Sequence, residues 1–112
     1  RVKRAYDPVE PSDGTRILVD RLWPRGVTKE ALHVDLWLKE IAPSDSLRTW
    51  FAHDPKKWKK FQDKYFKELM AHEKGLEPIR KALKVGTVTL VFGAKDVEHN
   101  NAVCLKEYLY AS

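Results

Sequence analysis

Two short polar runs hold the residue types that bind anions or move protons. The first is Asp20-Arg21, continuing to Pro24-Arg25-Gly26; the second is Lys95-Asp96, continuing to His99-Asn100-Asn101. A guanidinium offers a planar fork of donors that fits phosphate or carboxylate, and a lysine adds a compact positive charge. A carboxylate and an imidazole in one site can divide the work of general base and orienting partner, so Asp20 and His99 are the catalytic candidates. Arg21, Arg25, Lys95, Asp96, Asn100 and Asn101 are the ligand-binding candidates. No clear nucleophile accompanies them: Ser12 and Thr15 lie near the first loop, and no motif marks either.

The same residues have a plainer reading. In it, Asp20 and Arg21 or Arg25 form a buried ion pair that locks the turn before Pro24, Asp96 only caps a helix, and Asn100 and Asn101 tie loops together. Exposure separates the two. An arginine serving the fold is buried against a carboxylate, and losing its partner is costly; an arginine serving a ligand stays partly exposed and can be replaced cheaply. The pattern places Arg25 in the exposed class and Arg21 in the carboxylate-paired class.

Both runs follow apolar segments. Ile17-Leu18-Val19, inside residues 15–23, suits a strand buried on both faces of a parallel sheet. Thr-Val-Thr-Leu-Val-Phe at 87–92 is β-rich, and residues 2–6 offer a further short strand whose direction nothing local fixes. In open α/β sheets ligands bind outside the carboxyl ends of the strands, which is where both polar runs fall. Helices fill the intervals. Thr28 caps a turn at 29–32, residues 35–41 read as helical, and Ser44 caps 45–52 with Asp45 at the positive end. Asp54-Pro55 opens a helix to about residue 72, with Trp58, Phe61, Tyr65, Phe66, Leu69 and Met70 on one face. Leu76, Ile79 and Leu83 form the next stripe, stopped by Gly86, and Asp96 caps a last helix from Val97 or Glu98 to Tyr110. The expected fold is α/β: a small, mainly parallel three-stranded sheet covered by helices, a Rossmann-like three-layer arrangement in one domain of residues 1–112.

Composition bounds the functions. Of 112 residues, 43% are hydrophobic and 33% charged, which is globular rather than disordered. No apolar run approaches the roughly 20 residues that span a bilayer, so no membrane is expected. The lone Cys104 excludes an internal disulfide and Cys-pair metal sites, fits a reducing cytoplasm, and reads as a small buried hydrophobe. His33, His53 and His72 are scattered without metal spacing, and no phosphate-loop or dinucleotide glycine motif is present, so neither metal nor cofactor is expected. The net charge of +5 suits an anionic partner. Three readings stay open: a small anionic ligand at the strand ends, a nucleic-acid module, and a structural or interaction protein. The nucleic-acid reading uses the basic face at residues 56–67, with Lys56, Lys57, Lys59, Lys60, Lys64 and Lys67. Asp63, Glu68 and Glu73 dilute that stripe, as on an ordinary solvated helix face.

Three segments resemble one family. They are Ser12-Asp13-Gly14, then Leu18-Val19-Asp20-Arg21-Leu22-Trp23-Pro24-Arg25-Gly26, then Gly93-Ala94-Lys95-Asp96 with His99-Asn100-Asn101-Ala102. Together they resemble the YeaO-like bacterial proteins, part of a larger group of domains of unknown function. The resemblance implies a bacterial-type cytoplasmic protein with a compact α/β fold, and it supplies no activity. The wider group carries an Asp-Val-Arg run at the first cluster and a Cys-His-Arg run near the second. Here the first stands as Asp20-Arg21, and Asn100-Asn101-Ala102 aligns with the second, so thiol or imidazole chemistry of the wider group does not carry over.

Overall fold

The computed structural model describes residues 1–111. Four strands, β1 (Val2–Arg4), β2 (Thr15–Leu18), β3 (Leu36–Trp37) and β4 (Val88–Phe92), form one sheet in the order β1-β4-β2-β3. Every pairing is parallel, including that of the N-terminal strand, which sets Val2 opposite Leu90. β4 lies between β1 and β2 and is buried at all its positions, which is why its sequence is an unbroken β-rich run rather than an alternation.

The sheet has one strand more than the sequence pattern indicates. Residues 35–41 read as helical, yet they hold β3 and a 3-10 turn at Lys39–Ile41. The open edge of β2 captures this segment. The Arg16 N–H donates to the Asp35 carboxylate at 2.8 Å, and the Asp35 N–H returns a bond to the Arg16 carbonyl at 2.8 Å. The Leu38 N–H then reaches the Leu18 carbonyl at 3.0 Å. Unpaired backbone groups on a buried strand outweigh local helical spacing.

The helices are α1 (Lys29–Leu32), α2 (Asp45–Phe51), α3 (Trp58–Ala71), α4 (Glu77–Val85) and α5 (Asn101–Ala111). Thr28 and Ser44 cap α1 and α2, accepting from the Ala31 and Leu47 N–H groups. Asp54 starts a 3-10 turn at Pro55–Lys57, and α3 proper begins one turn later. The last helix begins later than the sequence pattern places it. Asp96 caps only a turn, accepting from the Glu98 and His99 N–H groups at 2.9 and 3.0 Å. Asn100 then caps α5, accepting from the Val103 N–H at 3.0 Å.

Alternation along β2 sends Ile17 and Val19 to one face of the sheet and Leu18 to the other. On the first face Phe51, Phe61, Tyr65, Leu69, Ile79 and Leu105 from four helices make the main core. On the second, Leu18, Val91 and Ala5 pack with Leu32 of α1, flanked by Trp23, Val27 and Val34. The result is three layers, thick on one side and thin on the other. Met70 and Leu83, which spacing places on inward faces, are exposed. The inward row of α3 is Phe61, Tyr65 and Leu69, and Met70 lies a further ~100° round the helix. Cys104 is fully buried, and burial, helped by the charges of Glu107 and Asp63, pushes its thiol well above the ordinary range.

The amino ends of the strands meet at a buried charge cluster. Asp13 and Arg16 are both inaccessible, joined by a 2.7 Å bond from Nη1 to Oδ2. The Lys3 ammonium sits 3.1 and 3.2 Å from the two Asp13 oxygens, and the Glu10 N–H donates at 3.1 Å. Arg16 gives two further donors to the Leu32 carbonyl, at 3.2 and 2.9 Å, tying α1 to β2. Burial alone would raise the Asp13 carboxyl. The Glu10 N–H, Lys3 and Arg16 outweigh it and hold the group at about 2, below its ordinary 3.8. A carboxyl lowered by folding adds stability above its unfolded value and loses it as pH falls toward the folded one. Asp13→Asn leaves Arg16 buried without its counter-charge, so it is expected to cost about 3–5 kcal/mol at neutral pH. Urea unfolding of both proteins across pH checks this: the gap should narrow, by about 2 kcal/mol, as pH falls from 3.8 to about 2.

Candidate functional site

All four strands contribute to a network at their carboxyl ends. Asp20 leaves β2 and accepts the Gly93 N–H, just past β4, on Oδ2 at 2.8 Å. A side chain on Gly93 would crowd this bond, since its Cβ would stand 3.3 Å from that oxygen. The Trp37 indole of β3 donates to the Asp20 carbonyl at 2.8 Å. From β1, Arg4 Nε donates to the Ala94 carbonyl at 2.9 Å. The Asn101 amide donates to the Val19 carbonyl at 3.0 Å, holding the start of α5 over the end of β2.

A cleft of about 460 Å³ opens on this edge. Asp20, Arg21, Arg25, His99, Asn100 and Asn101, distant in sequence, line it together. Lys95 and Asp96 are not among its lining residues: Lys95 is exposed, and Asp96 holds His99 instead. The sequence pattern does not point to Arg48, Thr49, His53 and Tyr6, which also line the cleft, with Phe51, Phe61, Pro24 and Pro43 as apolar wall. Arg48 and His53 lie on or just beyond α2, 28 and 33 positions from Asp20 in sequence, and no local motif links them to it. None of the lysines at 56–67 lines the cleft; Lys57, in the turn before α3, and Lys64 of α3 lie over the Trp50 ring at 5.1 and 5.2 Å.

No ion pair joins Asp20 to Arg21 or Arg25 among the described residues, so the clasp expected before Pro24 does not form. Arg21 turns to the far wall. Its Nη2 donates to the Ala42 and Pro43 carbonyls at 3.3 and 3.4 Å, and its Nε lies 3.7 Å from the Asp45 carboxylate. That Nε is buried and has no hydrogen-bond acceptor among the described residues. Arg48 approaches the same Asp45 oxygen at 3.4 Å. Arg25 is exposed, and no partner for its guanidinium is found among the described residues. Its loop is fixed by other bonds: the Tyr6 hydroxyl donates to the Arg25 carbonyl at 3.0 Å, and the Trp23 indole donates to the Val27 carbonyl at 2.6 Å. Gly26 supplies the positive φ of 77° that this turn needs.

Asn100 lines the cleft and also serves the fold. It is buried, it caps α5, and its amide donates to the Asp96 carbonyl at 2.9 Å. His99 is held on two sides. Its Nδ1 is 2.9 Å from Asp96 Oδ2, and its ring meets Trp58 edge-on at 5.3 Å. Bonds from the Glu98 N–H and the His99 ring and N–H lower the Asp96 carboxyl, so it is an ionised acceptor. Asp96 therefore fixes the ring's orientation and favours the tautomer with the proton on Nδ1, which turns Nε2 outward from that bond. Asp20 shifts the other way. Burial raises its carboxyl, and the Gly93 N–H, the Asn101 side chain and the charges of Arg48 and His53 only partly offset that. Among the described residues no three His, Cys, Asp or Glu side chains converge as a metal site, and no helix is long and apolar enough to cross a membrane.

An open parallel sheet with helices on both faces and a polar cleft at its carboxyl edge is a Rossmann-like α/β fold. Within that class, the chain belongs to the family described as the inactive DUF488-N3 subclade, whose model matches residues 1–112. It is 44% identical over 107 residues to the uncharacterized protein YeaO of Escherichia coli K12, covering 96% of this chain and 93% of that one. It is 38% identical over 110 residues to an uncharacterized protein of Mycobacterium tuberculosis H37Rv, covering 97% of this chain and 92% of that one. The YeaO-like resemblance of the strand-end motifs therefore extends over the chain. No solved structure matches significantly.

The raised Asp20 carboxyl has a signed consequence for stability. When folding raises an acid, the native state binds the extra proton, so the penalty is complete above the folded value and absent below the unfolded one. Asp20→Asn keeps an oxygen for the Gly93 N–H and removes the charge. It is expected to raise the melting temperature at pH 7, with the gain shrinking as pH falls toward 3.8. Calorimetric melting of parent and variant at several pH values checks the sign; a loss at pH 7 would show that the charge stabilises the fold.

Proposed function

We propose that this chain binds a small anion bearing phosphate or carboxylate in the strand-end cleft, and holds it without turning it over. One observation carries the reading: Arg21, Arg25 and Arg48 share the cleft wall with a single carboxylate, Asp20. Two of them also share Asp45, at 3.7 and 3.4 Å, longer than the roughly 2.7–2.9 Å of a full charge-assisted bond. Donors therefore remain for a ligand, and among the described residues Arg25 commits none of its own. Apolar walls from Phe51, Phe61 and Pro24 lower the local dielectric and strengthen such contacts.

Binding without turnover is favoured by what the cleft lacks and by the family. Its hydroxyls are those of Thr49 and Tyr6, and Tyr6 spends its proton on the Arg25 carbonyl. Neither stands within a nucleophile–base pair. The thiol of Cys104 is buried in the core. The family's description as inactive points the same way. Asp20 and His99 then act as ligand contacts rather than as an acid–base pair.

Thermal unfolding with inorganic phosphate, against sodium chloride at matched ionic strength, tests the reading. Phosphate is expected to raise the melting temperature of the parent, as any ligand of the native state does. Arg25→Gln should lose that response while changing unliganded stability by no more than about 1 kcal/mol, because Arg25 is exposed. Arg48→Gln should weaken it as well. A phosphate response in the parent no larger than that of chloride would overturn the proposal.

A further inference from the structure

A carboxylate on the wall of a cleft lined with guanidiniums repels an anionic ligand unless a proton lies between them. Asp20 is such a carboxylate. It lines the cleft beside Arg21, Arg25 and Arg48, yet the ion pairs of Arg21 and Arg48 go to Asp45. Its hydrogen-bond donors are neutral, the Gly93 N–H at 2.8 Å on Oδ2 and the Asn101 side chain, while the charges of Arg48 and His53 act on it only across space. An ionised carboxylate has about four lone-pair sites, so one backbone donor and one amide leave capacity for a further donor. Nothing in the fold requires a charge here, since an amide would accept the same Gly93 bond.

We infer that the cleft selects an oxyanion that keeps a proton at neutral pH, phosphate above all, over one of the same shape that keeps none, such as sulfate, with Asp20 holding the shared proton. This rests on the anion-binding reading and sharpens it. Phosphate and sulfate are both tetrahedral, and both can satisfy arginine forks. They differ in that phosphate can offer an O–H to Asp20, whereas sulfate brings four bare oxygens toward a carboxylate. For phosphate the contact is a charge-assisted hydrogen bond; for sulfate it is two acceptors facing each other across a partly desolvated gap. Burial, which raises the Asp20 carboxyl, favours the same sharing of a proton. The carboxylate thus filters, while the arginines attract.

The test compares inorganic phosphate, arsenate and sulfate by isothermal titration calorimetry at pH 7.5 and constant ionic strength, on the full chain and on Asp20→Asn. Arsenate keeps a proton as phosphate does. The parent should bind phosphate and arsenate within a few-fold of each other, and sulfate about tenfold more weakly or worse, the worth of one hydrogen bond to a charged group. Asp20→Asn should bring sulfate to within about threefold of phosphate, chiefly by gaining sulfate affinity, because the repelling charge is gone. Sulfate binding the parent as tightly as phosphate would overturn the filter and leave the anion cleft standing. Failure of all three anions to bind the parent would overturn both. The ratio measured on the parent needs no variant, so the inference stays open to refutation even where Asp20→Asn does not fold.

Discussion

The parallel pairing of β2 with β4 is the constraint from which the rest of the structure follows. Because Thr15 stands opposite Val88 and Leu18 opposite Val91, the two chains leave the sheet side by side and in the same direction. Asp20 therefore arrives next to Gly93, 73 positions away in sequence, and the bond between them closes the end of the sheet. β1 and β3 join in the same sense, so Arg4 and Trp37 also reach this edge. Reversing any one strand would carry its side chains to the opposite end. The cleft is a consequence of direction before it is one of residue type.

The two ends of the sheet treat charge in opposite ways. At the amino end Asp13 is enclosed by Arg16, Lys3 and a backbone N–H, with Arg1 at 3.5 Å, and the Thr89 hydroxyl closes on its carbonyl at 2.7 Å. Charge there is saturated, and the strands are clamped. At the carboxyl end Asp20 is held by neutral donors, two arginines share one distant carboxylate, and Arg25 has no partner among the described residues. A fold built for stability alone would satisfy both ends. The imbalance leaves the guanidiniums of the carboxyl end without a close counter-charge among the described residues.

Much of this is legible in the residues, and the limits have physical causes. The apolar runs at 15–23 and 87–92 mark β2 and β4 because burial on both faces leaves no room for alternation. Thr28, Ser44 and Asp54 announce helix starts because capping is a local bond between neighbours. The six cleft residues of the two polar runs are legible for the same reason, each run lying immediately past a strand. What fails is whatever depends on a distant partner. β3 exists only because β2 offers an edge, so the local spacing at 35–41 points to a helix instead. Asp96 and Asn100 both have the chemistry of a cap, and only the packing of α5 decides between them. Arg48 and His53 join the cleft through the placement of α2, which no local signal encodes. Asp13 and Arg16 look like ordinary surface charges until the sheet closes over them.

The strand order has a consequence at its margins. The longest strands, β4 and β2, lie inside, and the outermost are β1 with three residues and β3 with two. An exposed strand edge is a template on which another molecule's backbone can pair, and length makes it a better one. Here neither margin runs far enough for a guest strand to gain register. β1 carries Lys3 and Arg4, and beside β3 the Lys39 ammonium sits 5.0 Å from the Trp37 ring before the chain coils into its 3-10 turn. Among the described residues the folded sheet therefore offers only short, charged margins to a neighbouring copy, and its long parallel strands are shielded between them.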